Sequence, residues 1–280
     1  MSDYPLESTE RERDRLERQA RVLRPLTERL LRRAGAEPGA SVLDLGTGAG
    51  DVAMLAAELV GPTGRVVSLD RDAGNLQRAH ERGERAGYTN LSFLERDIAD
   101  PPRLGEGFDV AVGRYVLMYQ TDPVAVVRAI ARAVRPGGAV AFHEISLYEG
   151  MRDDAWPAST RLFVETMAKL SPSLRRRIQA NIAPRLPSIF VDAGLDVADW
   201  GFELSSPLVH AADAIPVGVD LMRTFEPLAI ADGAIAAGEI DWDAQERVWR
   251  ESPPHGALTL PASVLGWARV PGSKGDDRDA

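Results

Sequence analysis

An α/β fold with a doubly wound, mostly parallel sheet is the class this sequence predicts. Three observations predict it. Short apolar runs alternate with amphipathic stretches of helical period from residue 40 to residue 145, the pattern of strands joined by crossover helices. The first run, Ser41-Val-Leu-Asp-Leu-Gly46, passes directly into glycines. The chain has 280 residues, 44% hydrophobic and 27% charged, the balance of an ordinary globular protein.

Residues 7–33 carry Leu16, Ala20, Leu23, Leu26 and Leu30 at helical spacing, so they predict an amphipathic helix with a leading arm. Gly35 and Pro38-Gly39 end it. Strands follow at 41–46, 65–70, 91–94, 108–113 and 139–145. Helices are expected at 51–59, 73–86 and 123–134, the last stopped by Arg135-Pro-Gly-Gly138. Residues 150–182 look helical, 187–193 helical, and 195–204 a sixth strand. Residues 210–250 look helical with interruptions at Pro216 and Pro227, and 262–270 a seventh strand. The organisation expected is a helical arm over 1–36 and one catalytic domain over 37–272. Helical lid insertions fall at about 150–182 and 210–250, and a disordered tail at 273–280.

Composition excludes several classes. There is no cysteine, so thiolate chemistry and cysteine-held metals are out. His80, His143, His210 and His255 stand far apart with no HExxH spacing, and no metal is expected. The net charge of −9 disfavours a nucleic-acid partner. No run of about 18 apolar residues is present, and the charged first residues lack the apolar core of a secretory signal. A cytoplasmic enzyme without a membrane partner, monomer or homodimer, is the expectation.

In sheets of this kind ligands bind at the carboxyl ends of the strands. Asp44-Leu-Gly46-Thr47-Gly48-Ala-Gly50 is the strongest signal there. The glycines allow a sharp turn and close approach of a ligand. The spacing is not that of a dinucleotide loop, because the third glycine comes one residue early and Asp51 takes its slot. A carboxylate two residues before the first glycine suits an ammonium better than a pyrophosphate. Asp70 ends the second strand and can accept both hydroxyls of a ribose. Asp97 and Ile98 end the third and can bond an adenine amino group and cover its ring. Ammonium, ribose and adenine together describe S-adenosylmethionine.

With VLDLGTGAG, VVSLD, RDI, FDVAVGRYVLMY and VRPGGAVAFHE in order over residues 40–146, the sequence resembles the class I S-adenosylmethionine-dependent methyltransferases. GRYVLMYQTDP, RLPSIFVDAGL and PASVLGWARVPG extend a looser likeness to bacterial small-molecule enzymes. The resemblance implies a Rossmann-like sheet of seven strands and S-adenosylhomocysteine as product. It places Asp44 near the methionine ammonium, with Gly46, Thr47 and Gly48 along the methionine moiety. Asp70 would hold the ribose, with Arg71 and Asn75 near ribose and adenine, and Asp97 with Ile98 would bind adenine. Arg114 would lie at the methionine end or the substrate mouth, and Tyr4 or Gln19 of the arm would fold over the cofactor. Many relatives carry cysteine where Thr47 stands.

The sulfonium is a strong electrophile, so alignment of the acceptor and exclusion of water are the main requirements. His143, Glu144 and Arg114 are the candidates for catalysis. His143 suits a base near neutrality, and Glu144 is a candidate to orient it, to bind a substrate amine or to act itself. Alternation along the strand sets the two on opposite faces, and no second group in the sequence is visibly placed to orient His143. Trp156, Phe163, Met167, Met222, Phe225, Trp242 and Trp249 predict an apolar core that also walls off a hydrophobic or aromatic small acceptor. The rival readings are a cyclase or decarboxylase on the same fold, and a non-enzymatic regulator that binds the cofactor.

Overall fold

A computed structural model describes residues 10–102, 107–145, 158–179, 181–205, 208–209, 211–251, 258–259 and 263–272. The elements in chain order are α1 (Glu10–Ala34), β1 (Ser41–Leu45), α2 (Asp51–Val60), β2 (Arg65–Asp70), α3 (Ala73–Arg85), β3 (Leu91–Glu95), β4 (Phe108–Arg114), α4 (Pro123–Ala131) and β5 (Val134–Ile145). They continue with α5 (Ala158–Leu174), α6 (Leu186–Ala193), β6 (Asp196–Ser205), β7 (Leu208–Val209), α7 (Ala211–Ala231), α8 (Trp242–Glu251), β8 (Leu258–Thr259) and β9 (Ser263–Arg269). The chain divides into two compact units. The sheet unit holds residues 24–145, 181–205 and 264–280, and the helical unit holds 1–23, 146–180 and 206–263. The arm expected over 1–36 is therefore shared between them, and both expected insertions lie mostly in the helical unit. Tyr4, Trp156 and the 273–280 tail lie outside the described residues.

The sheet has seven strands in the order β3-β2-β1-β4-β5-β9-β6. β1 pairs in parallel with β2 and with β4, β2 with β3, and β4 with β5. Gly137 donates to the carbonyl of Val270 at 2.9 Å and Val270 to that of Gly138 at 2.8 Å. The end of β9 thus meets the beginning of β5, and β9 runs against it. The order turns back between β1 and β4, which puts the ligand crevice of this architecture above those two strands.

One face of the sheet is apolar for a plain reason of period. Val42, Val66, Val110, Val112, Ala139, Ala141 and Leu265 are buried against Leu26, Leu30, Leu31 and Ala34 of α1 and against α2. Two residues further along, the same face of the same strands carries Asp44, Ser68, Arg114 and His143. On the opposite face, Phe142 stacks on Phe190 of α6 with ring centroids 6.3 Å apart. The helices begin where side chains cap them. Asp72 accepts from the Asn75 N–H at 3.1 Å to start α3, and Asp122 from Ala125 at 2.9 Å to start α4.

Two expected boundaries differ. The helix predicted to reach Val134 ends at Ala131, and β5 begins at Val134. Val134 pairs with Phe108, after which the register slips. Arg135-Pro-Gly-Gly138 is thus an irregularity inside a long strand, and Gly137 has φ 76° there. The second difference is α7, which runs through both Pro216 and Pro227. Each proline removes one helical hydrogen bond, and burial of Val219, Met222 and Ala229 outweighs that loss.

The helical unit is built from α5, α7 and α8 with the short antiparallel pair β7–β8. Trp249 of α8 packs edge-on to Phe163 of α5 at 6.1 Å. Gln245, one turn earlier, donates to Thr166 at 2.6 Å. Among the described residues no helix is long and apolar enough to cross a membrane.

Candidate active site

The loop from β1 to α2 is forced by glycine. Gly46, Gly48 and Gly50 have φ values of 73°, 51° and 85°, conformations a side chain resists. Gly46 also lies close to Val116, whose Cγ1 would be 2.6 Å from a Cβ at that position. At Gly48 nothing lies within 4 Å of the place a Cβ would occupy, so the loop is open on that side.

Asp44 is buried beneath this loop. Ser68, its register partner on β2, donates to it at 2.5 Å and also bonds the Thr47 hydroxyl. Burial pushes the Asp44 carboxyl up to about 6, against the pull of the Ser68 hydroxyl, Arg114 and the Thr47 hydroxyl. Asp70 closes the far side. Its Oδ2 accepts from the Gly48 N–H at 3.0 Å and from Asn75 Nδ2 at 3.3 Å, and its Oδ1 from the Asp72 N–H at 2.9 Å. Arg71 beside it is exposed. At the end of β3, Asp97 is exposed and accepts from the Ala99 N–H at 2.8 Å, while Ile98 is buried.

Asp51 decides what the start of α2 can hold. Arg82 reaches it at 2.9 Å and Arg114 at 3.8 Å. A carboxylate of the chain itself occupies the positive end of this helix. A pyrophosphate there would meet like charge, so the departure from dinucleotide spacing has a structural counterpart.

The ends of β4 and β5 hold the remaining candidates. Arg114 and His143 are register partners. His143 is fully buried, and its Nδ1 lies 3.0 Å from Thr27 Oγ1 of α1. Thr27 is thus the orienting group that sequence reading did not find. Burial, and then the Arg114 charge, hold the imidazole well below its usual range, so it is neutral. Among the described residues its Nε2 has no hydrogen-bond partner. Glu144 does not orient His143. Its Oε1 accepts from the N–H groups of Val116 at 3.1 Å and Leu117 at 2.9 Å. Burial pushes this carboxyl up to about 8 in spite of those bonds.

Between these strands sits Tyr115, the only described non-glycine residue with positive φ, 58°. For a bulky side chain that conformation costs roughly 1–3 kcal/mol. Of the arm candidates, Gln19 belongs to the helical unit, where Arg15 donates to it. Ser68, Thr27 and Tyr115 are the site residues that sequence reading missed. Ser68 had a signal, because a hydroxyl in the middle of the buried run Val66-Val-Ser-Leu69 needs a partner on the next strand.

A sequence profile described as a methyltransferase domain matches residues 36–185, just over half of the chain. The chain belongs to this methyltransferase family. Among curated relatives of the methyltransferase, a 2-phytyl-1,4-naphtoquinone methyltransferase of Nostoc sp. is 32% identical over 161 residues, 53% of this chain and 70% of the relative. A demethylmenaquinone methyltransferase of Lactococcus lactis is 34% identical over 116 residues, 41% of this chain and 46% of the relative. The solved cyclase SpnF shares the fold at TM-score 0.56 and 20% identity, with 89% of this chain and 81% of that one covered.

Proposed function

We propose that this methyltransferase moves the methyl group of S-adenosylmethionine to a small, apolar or aromatic metabolite of the quinone type. The observation that carries the cofactor half is the loop over Asp44. A buried carboxylate, an open backbone at Gly48 and a strand-end carboxylate at Asp70 fit an ammonium, a thioether chain and a ribose in that order. Asp70 Oδ1 accepts one bond from the chain, which leaves a lone pair for a hydroxyl. When bound, the cofactor supplies an electrophilic methyl on a sulfonium.

Asp44 holds the ammonium, and Ser68 and Thr47 hold Asp44. Gly46, Thr47 and Gly48 line the methionine portion. Asp70 takes the ribose, with Asn75 and Arg71 at its edge, and Asp97 and Ile98 take the adenine. Gln19 and Tyr4 are proposed as arm contacts. At the transfer end, alignment does the main work. His143 is a neutral imidazole of low basicity, held in one orientation by Thr27. Arg114 lends its charge to Asp51 and Asp44, and Glu144 shapes the backbone of residues 116–117. The names of the quinone methyltransferases support the acceptor class.

Calorimetry with S-adenosylhomocysteine tests the cofactor half. Asp70→Ala leaves ribose hydroxyls unpaired, and affinity should fall about ten-fold or more. Binding of NAD without binding of S-adenosylhomocysteine would sink the reading. For the acceptor, the wild type is assayed with reduced 2-phytyl-1,4-naphthoquinone and a panel of phenols, quinols and amines, scoring product mass. Methylation confined to the amines would refute the quinone class.

A further inference from the structure

Tyr115 is held in a conformation that glycine or asparagine adopts at far lower cost, and three separate contacts hold it there. Its N–H donates to the His143 carbonyl at 2.9 Å. Its ring meets the His143 ring edge-on at 5.3 Å. The next two N–H groups both donate to Glu144 Oε1, at 3.1 and 2.9 Å.

Val116 adds a wedge. A Cβ on either Gly46 or Gly113 would come within 2.6 Å of a Val116 methyl carbon. The residue after Tyr115 is therefore locked between the cofactor loop and the end of β4. A positive φ also sends the side chain in a direction that neither a strand nor a right-handed helix would give it. Tyr115 is only half-buried, although Val116 and Leu117 beside it are buried. Strain kept by surrounding structure at the ligand-binding end of a sheet is a mark of function. The buried Nε2 of His143 and Oε2 of Glu144, both without partners among the described residues, lie in the same few residues and add unfilled polar capacity.

We infer that Tyr115 is an acceptor-contact residue, presenting its ring to the flat apolar or aromatic molecule that receives the methyl group, with Glu144 and His143 as its positioning residues. This rests on the methyl-transfer reading above. An aromatic ring offers such an acceptor edge or face contact without any charge. It also explains why a tyrosine stands where backbone geometry alone favours glycine.

The test separates strain from function. Tyr115→Gly and Tyr115→Asn relieve the backbone, so thermal midpoints should stay level or rise. S-adenosylhomocysteine affinity should remain within about two-fold, because the cofactor residues are untouched. With the fastest acceptor of the panel, kcat/KM should fall about ten-fold through loss of the ring contact. Tyr115→Phe keeps the ring and should stay within about three-fold of wild type. Wild-type kcat/KM in Tyr115→Gly overturns the inference. So does a parallel loss of thermal midpoint, cofactor affinity and turnover, which marks Tyr115 as framework. A wild type that binds S-adenosylhomocysteine but methylates nothing in the panel overturns the acceptor reading underneath, and this inference with it.

Discussion

In the sheet unit, buried carboxyls bond to a neighbouring strand and to backbone N–H groups; in the helical unit, buried and half-buried polar side chains bond from helix to helix. Ser68 to Asp44 and Glu144 to the 116–117 backbone are of the first kind. Gln245 to Thr166 and Trp242 to Glu226, at 2.6 Å each, are of the second. The first kind fixes main chain, and so fixes the shape of a loop. The second fixes only how two side chains pass each other. A sheet end tolerates buried carboxyls because backbone donors come in rows there. A helix has spent its own donors within itself, so its side chains must find one another.

The sharpest way to break this comparison is at Glu144. Its carboxyl ionises at about 8 in the folded protein, against about 4.3 for an unperturbed glutamate. The folded state therefore holds this proton more tightly than the unfolded chain does. The stabilisation is fully present below the unfolded pKa and is lost as pH rises through 8. Glu144→Gln keeps the acceptor oxygen and never ionises. Relative to wild type it should gain on the order of 3–5 kcal/mol between pH 5 and pH 9. Urea unfolding at both pH values measures this, and parallel pH profiles would show that burial does not hold the proton on Glu144.

A smaller contrast lies in the glycines. Gly46→Ala puts a side chain at φ 73° and 2.6 Å from Val116, and should destabilise by about 2–4 kcal/mol. Gly218→Ala in α7 meets the Trp249 ring edge at 2.6 Å. It gains roughly 1 kcal/mol of helix propensity, so its net cost should be smaller, about 0–2 kcal/mol. Chemical denaturation of the two variants ranks them. The reverse order would mean that the helical unit, not the cofactor loop, is the tightly specified region.

A further contrast is expected from the buried pair of the helical unit. Thr166→Val alone strands the Gln245 amide and should cost about 1–3 kcal/mol. Adding Gln245→Met removes the stranded group, and the double variant should return to within about 1 kcal/mol of wild type. A double variant as unstable as the single one would give this pair a role beyond mutual satisfaction.

Much of the sheet was legible because its strands are buried and its turns are marked. Val42 to Leu45, Val66 to Asp70 and Val110 to Arg114 read directly from apolar runs, and Asp44, Gly46, Gly48 and Asp70 from their place at strand ends. What did not read was any feature set by the neighbouring element. Thr27 falls within an apolar helical stripe, and nothing local says that it faces His143. Val134 continues a helical pattern until Phe108 claims it as a strand partner. Pro216 and Pro227 signal breaks, yet the packing of Met222 and Ala229 keeps α7 whole. Tyr115 carries no sign of its left-handed backbone, since that geometry is imposed by His143, Glu144 and Val116 from outside.

The order β5-β9-β6 also sets a schedule for synthesis. β9 occupies an inner place in the sheet but is translated after β6, with the helical unit's β7, α7, α8 and β8 between them. On a ribosome adding about 5–20 residues per second, the gap amounts to roughly 3–12 s. Through that interval the neighbour that β6 has in the finished sheet does not exist. Arg269, which bonds the carbonyl of Ala34 and the carboxylate of Asp199, arrives with β9. It adds a late tie between the end of α1 and the outer strand to the one that Arg29 and Glu203 already make. Until then Trp200 and Phe202, exposed even in the finished protein, lie on a strand that has no neighbour in the sheet.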